Sequence, residues 1–137
     1  MITKFRKVEH VDIYWIDCNR DHHKVAKLTL RDDGLDLVLS HYPNLDRLIP
    51  LGFDFGWSFP DLQKTYTENI WAFFCRYTIS PQRGDIDGFL EHWGISKSAV
   101  DTTPKGKQWT PKTLLDLLAH TGGRLPGSRI YFKGFYL

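Results

Sequence analysis

The sequence is short of cysteine and has no long apolar run. It contains two cysteines, Cys18 and Cys75, in 137 residues, and neither belongs to a CxxC pair. A disulfide scaffold and a zinc ribbon both need more sulfur than this, so the expectation is a reduced, cytoplasmic protein. No apolar stretch approaches the roughly 18–20 residues of a membrane span. The opening MITKFRKVEHVD has no apolar core of the kind a signal peptide carries, so no leader is expected. Charge of one sign is lacking too. Eighteen basic residues stand against sixteen acidic ones, for a net charge of +2, which does not by itself argue for a nucleic-acid partner. Phosphate-loop, dinucleotide-binding, HExxH and GxSxG patterns are all missing, and no internal repeat is found.

What is present suits one ordinary domain. Hydrophobic residues make up 42% and charged residues 25%, enough for a core without staples. Residues 11–17 (VDIYWID), 24–30 (KVAKLTL) and 35–42 (LDLVLSHY) are short, alternating and rich in β-branched, aromatic or leucine side chains, and predict three strands. Asp32-Asp33-Gly34 supplies a hairpin turn between the second and third, and Leu35, Leu37 and Leu39 are expected on one apolar face. Pro43 and Pro50 bracket a short helical turn. Spacing predicts helices over 70–77, with Thr67 or Asn69 as cap, and over 85–93, where Ile86, Phe89, Leu90 and Trp93 share a face and Gly94 ends the run. Residues 96–108 read as a polar, mobile loop. Thr110-Pro111 starts a helix whose Leu114, Leu115, Leu117 and Leu118 are apolar and which Gly122-Gly123 stops, and 129–137 is a strand that rejoins the sheet. The expectation is one α+β domain over 1–137: a small antiparallel sheet from an N-terminal meander plus a C-terminal strand, packed with about three helices.

Between Leu51 and Phe74 lie eight of the twenty aromatic rings, on a backbone punctuated by Gly52, Gly56 and Pro60. Such a stretch is core or contact surface. Phe53, Phe55 and Phe59 alternate and can cap the sheet. Trp57, between Gly56 and Ser58, is the ring expected to face a partner, since tryptophan is enriched at interface hot spots.

Other chemistry is thinner. His10 and Asp12 share a strand face as ligands do, but two residues fall short of a metal site, and no metal or cofactor is expected. Adjacent His22 and His23 point to opposite faces. Cys75, inside an apolar helix, reads as a small core residue. Lys105, Lys107 and Trp109 combine charge with a ring as single-strand binders do, with Arg124, Arg129 and Lys133 as additions. A third alternative is a small enzyme with a pocket under the aromatic loop, using Asp54, Ser58 or His41.

Three places in the chain carry a family resemblance. Arg31-Asp32-Asp33-Gly34 precedes the third strand. Gly56-Trp57-Ser58-Phe59-Pro60 is followed, after a spacer, by Phe73-Phe74. Asp116-Leu117-Leu118 is followed by Gly122, Gly127 and a strand-like Ser128 to Phe132. Together these resemble the N-terminal subdomain of the HipA family of toxin kinases. That subdomain has a Ser-x-Ser-Leu-Pro segment, a paired Phe-Phe and an Asp-Leu-Leu with two glycines at these intervals. The sequence departs from the pattern at Cys75 to Pro81, where the family usually has an acidic-Asn-Leu-Leu-Pro run. The resemblance implies a free-standing, non-catalytic subdomain similar to HipS-type antitoxins. Such a module binds and neutralises a separate HipA- or HipT-like serine/threonine kinase, with a DNA-binding HipB-like protein completing the complex. It further implies that Trp57, with Phe55, Ser58 and Phe59 beside it, is the partner-binding group, and that no membrane and no direct nucleic-acid contact is involved.

Overall fold

Residues 1–53 and 59–137 are described in a computed structural model of the chain. The elements run β1 (Val8–Ile16), β2 (His22–Leu30), β3 (Leu37–His41), α1 (Ile70–Phe74), α2 (Ile86–His92), α3 (Pro111–Thr121) and β4 (Ile130–Tyr136). Short 3₁₀ turns cover Leu45–Leu51, Cys75–Tyr77 and Lys97–Ala99. The strands form one antiparallel sheet in the order β3-β2-β1-β4, so the C-terminal strand rejoins the sheet as expected, and it does so beside β1. The class is α+β with a small sheet. Among the described residues no helix is long and apolar enough to cross a membrane.

Strand register decides which side chains meet. Val11 faces Leu28, Ile13 faces Ala26 and Phe132, and Leu28 faces Leu39, which sets a continuous apolar face across all four strands. Those residues are all buried. Helix α3 covers this face, packing against β1, β2 and β4. Thr110 caps it, its hydroxyl accepting from the Thr113 amide at 3.3 Å, and Pro111 opens the first turn. Leu114, Leu115, Leu117 and Leu118 are all buried; each contributes roughly 1.5–3 kcal/mol relative to exposure. Close approach of α3 to β4 rests on Gly134: a Cβ there would sit 2.6 Å from the Ala119 Cβ. Phe132 and Gly134 face the helices, while Tyr131, Lys133 and Phe135 face away.

Three local expectations are corrected. Leu35 lies before β3 and is 69% exposed, because β3 begins only at Leu37. Asn69 stands at the N-cap position of α1 but in a left-handed conformation without a side-chain cap bond. The cap comes from the start of β3 instead. The buried Asp36 carboxylate accepts from the amides of Asn69 (2.9 Å), Ile70 (3.2 Å), Trp71 (2.8 Å) and its own neighbour Leu37 (2.7 Å). One side chain therefore pins α1 to the sheet edge, using the exposed donors of a first helical turn. The segment after α2 is also more ordered than its composition implied. Gly94 takes φ 67°, and the Ile95 and Gly94 amides donate back to Leu90 and Glu91, which closes α2 in a Schellman turn. Ser96 then caps a 3₁₀ turn, Thr102 pairs with Trp109, and the Trp109 indole is sunk in the core.

Candidate interaction site

The aromatic stretch divides into anchors and a span between them. Phe53 is 2% exposed, and its ring lies 5.3 Å from that of Trp15 on β1. Its amide donates to the Leu48 carbonyl, and Gly52 before it takes φ 90°, a conformation that favours glycine. Phe59 is 5% exposed and sits among Phe73 (5.0 Å), Tyr66 (5.1 Å) and Phe74 (5.9 Å), with Phe74 in turn 5.8 Å from Phe132 of β4. Phe59 was expected at the partner surface; it is a core ring, because α1 brings Phe73 and Phe74 over it. Asp54, Phe55, Trp57 and Ser58 lie outside the described residues. Phe73 is half-buried, with the Arg76 guanidinium 4.2 Å from its ring centre.

The residues named for single-strand binding do not form a platform. Lys105 and Lys107 are exposed, but Trp109 is 3% exposed and donates its indole N–H to the Ile79 carbonyl at 2.8 Å. Its own carbonyl accepts from the Trp71 indole at 2.9 Å. A ring held this way is a strut between α1, the turn after it and α3, and it is unavailable to stack on a base. His41, the described member of the enzyme reading, ends β3 beside a cleft of about 350 Å³ that Tyr42, Asn44, Asp46 and Gln63 also line. Burial pushes its imidazole pKa down, against the smaller upward effects of the Lys64 backbone and Asp61.

A polar node on the face of the sheet away from the helices was only half visible in the sequence. His10 and Asp12 do share that face, with the His10 Nε2 at 3.4 Å from Asp12 Oδ1. The Asp12 carboxylate is fully buried, the Tyr42 hydroxyl donates to it, and the Lys24 ammonium stands 3.6 Å from its other oxygen. Burial first, and the bond to Asp12 second, push the Tyr42 phenol well above its usual range, so it stays a donor. The face also carries two cross-strand stacked pairs, His10 on Phe135 (4.8 Å) and Tyr14 on Tyr131 (5.1 Å). At the β1–β2 turn, Asp17 accepts from His23 at 2.8 Å and from the Asn19 and Asp21 amides. The His23 bond is the main cause that holds its carboxyl below the usual range. His22 and His23 do diverge, His22 bonding the Tyr131 hydroxyl at 2.7 Å. Among the described residues no three His, Cys, Asp or Glu side chains gather as metal ligands. Cys18 is exposed, Cys75 is half-buried, and both are free thiols; burial pushes the Cys75 thiol up to about 11.

The residues that carry the family resemblance have structural work in this fold. Phe73 and Phe74 build the ring cluster, Leu117 and Leu118 are core, and Asp116 is buried beside the Lys112 ammonium at 2.9 Å. Gly122 is the left-handed residue that ends α3. No protein-family model, curated protein or solved structure matches the chain significantly.

Proposed function

We propose that this chain is a non-catalytic protein-binding module similar to HipS-type antitoxins, which neutralises a HipA-like serine/threonine kinase by binding it through the stretch around Trp57. One observation carries the reading: the chain is fixed in the core by buried Phe53 on one side of Trp57 and by buried Phe59 on the other. Rigid attachment on both sides reduces the ordering cost that a contact segment pays on binding. The resemblance of Gly56-Trp57-Ser58-Phe59-Pro60, Phe73-Phe74 and Asp116-Leu117-Leu118 supplies the partner class. Phe55 and Ser58 flank the tryptophan as secondary contacts, whereas Phe59 serves as an anchor. A HipB-like DNA-binding protein is the third member of the proposed assembly.

The experiment is co-expression with a HipA-like kinase encoded beside this gene, scored by growth and by phosphotransfer in vitro. The parent chain restores growth and blocks phosphotransfer. Trp57→Ala loses about 2–4 kcal/mol of binding, roughly 30- to 1000-fold in affinity. Equal protection by Trp57→Ala sinks the proposed contact, and absence of binding to any such kinase sinks the partner class.

A further inference from the structure

A cationic cleft of about 400 Å³ lies between the turn that follows α1, over 75–83, the C-terminal end of α2 and the segment that follows α3. Arg76 and Arg83 line it from that turn and Arg124 from the segment after α3, and no carboxylate does. Tyr77, Phe89 and Trp93 supply ring walls. This volume is in the range of small-molecule sites.

Two of the guanidiniums are positioned through one N–H each, and the third by a ring. Arg76 gives its Nε–H to the Phe73 carbonyl at 3.1 Å while lying over that ring. Arg83 gives its Nε–H to Asp85, in a pair where both side chains are about two-thirds exposed. Arg124 lies 5.6 Å from the Tyr131 ring centre. A guanidinium has five N–H donors in a planar fork, so the terminal nitrogens have further donors to give, in the geometry that suits phosphate. Trp93 is 36% exposed at the end of α2, although its spacing puts it on one face with Phe89 and Leu90. A large ring left at the rim of a cationic cleft is the group a planar ligand would stack on.

We infer that the cleft lined by Arg76, Arg83, Arg124 and Trp93 is a binding site for a nucleoside monophosphate, the arginines taking the phosphate and the ring walls taking the base. Inorganic phosphate shares half of this chemistry and a nucleoside the other half, so the three ligands separate the two contributions.

The test is a titration of the full chain with adenosine monophosphate, adenosine and inorganic phosphate, followed by amide chemical shifts or calorimetry at low salt. The monophosphate is expected to bind at least about 10-fold tighter than either fragment, the cost of one charge-assisted contact being close to that factor. Arg83→Gln and Arg124→Gln, both at exposed positions, each weaken the monophosphate and phosphate about 10-fold. Trp93→Ala weakens the monophosphate and leaves phosphate unchanged. Lys105→Gln, an exposed cation outside the cleft, changes neither. No binding at about 10 mM monophosphate overturns the inference. So does a loss that Lys105→Gln reproduces, or a monophosphate that binds no better than phosphate.

Discussion

Replacing Asp36 by alanine is the sharpest test of how this fold is held. The carboxylate serves four amides at once, and three of them belong to the start of a helix more than thirty residues away. The Ile70 and Leu37 residues are fully buried, so their amides cannot turn to water when the carboxylate goes. A buried amide without a partner costs about 1–3 kcal/mol, and loss of a helix cap about 1 kcal/mol. Because some relaxation will occur, the expected destabilisation is about 3–4 kcal/mol, a large part of the roughly 5–15 kcal/mol that holds a domain of this kind. For a chain of this length that lowers Tm by roughly 10 °C. Urea unfolding followed by tryptophan fluorescence and far-ultraviolet circular dichroism gives the number directly. Asp36→Asn keeps one acceptor and should fall about midway. A loss below about 1 kcal/mol for Asp36→Ala, with an unchanged dependence on urea, would refute the claim that this side chain caps α1.

Three further outcomes follow from the same structure. Gly134→Val forces a side chain into the space where a Cβ already meets Ala119 at 2.6 Å, so α3 must lift from β4; about 2 kcal/mol or more of stability is lost, measured by thermal unfolding. Cys18 is exposed, whereas burial holds the Cys75 thiol near a pKa of about 11; at pH 8 only about 0.1% of Cys75 is thiolate, and a thiol-reactive dye should label one cysteine quickly and the second only on unfolding. His41 binds its proton less readily folded than unfolded, because burial disfavours the cation. Its contribution is therefore full above about pH 6.5 and is lost as pH falls from there toward the depressed folded value, so urea midpoints compared at pH 7.5 and 5.5 should converge in His41→Gln relative to the parent.

Much of this architecture is legible from local pattern alone. Alternation in 11–17 and 24–30 marks strands because one face of the sheet is apolar and the other is not. Thr110-Pro111 and Gly122 mark α3 because capping depends on neighbours only a few residues away. What local pattern does not carry depends on distance along the chain. Asp36 looks like one more polar residue beside a turn until α1 folds against it. Trp109 sits in a lysine-rich loop and reads as a stacking ring, yet its partner is the carbonyl of Ile79, thirty residues earlier. Phe59 and Trp57 are near neighbours in a run of rings, and local sequence cannot divide them; the cluster of Tyr66, Phe73 and Phe74 assigns Phe59 to the core. Trp93 matches the apolar spacing of α2 but lies at its last turn, where the helix leaves the core. The arginine cleft draws on three separated stretches, and no window of sequence contains it.

Trp57, which lies in sequence between the buried Phe53 and Phe59, is the group proposed to neutralise a kinase. The most direct measurement is phosphotransfer by the HipA-like kinase encoded beside this gene, titrated with the parent chain and with Trp57→Ala, both shown to be folded by circular dichroism. The parent is expected to inhibit, and Trp57→Ala to require a roughly 30- to 1000-fold higher concentration. Superimposable inhibition curves for the two chains would contradict it.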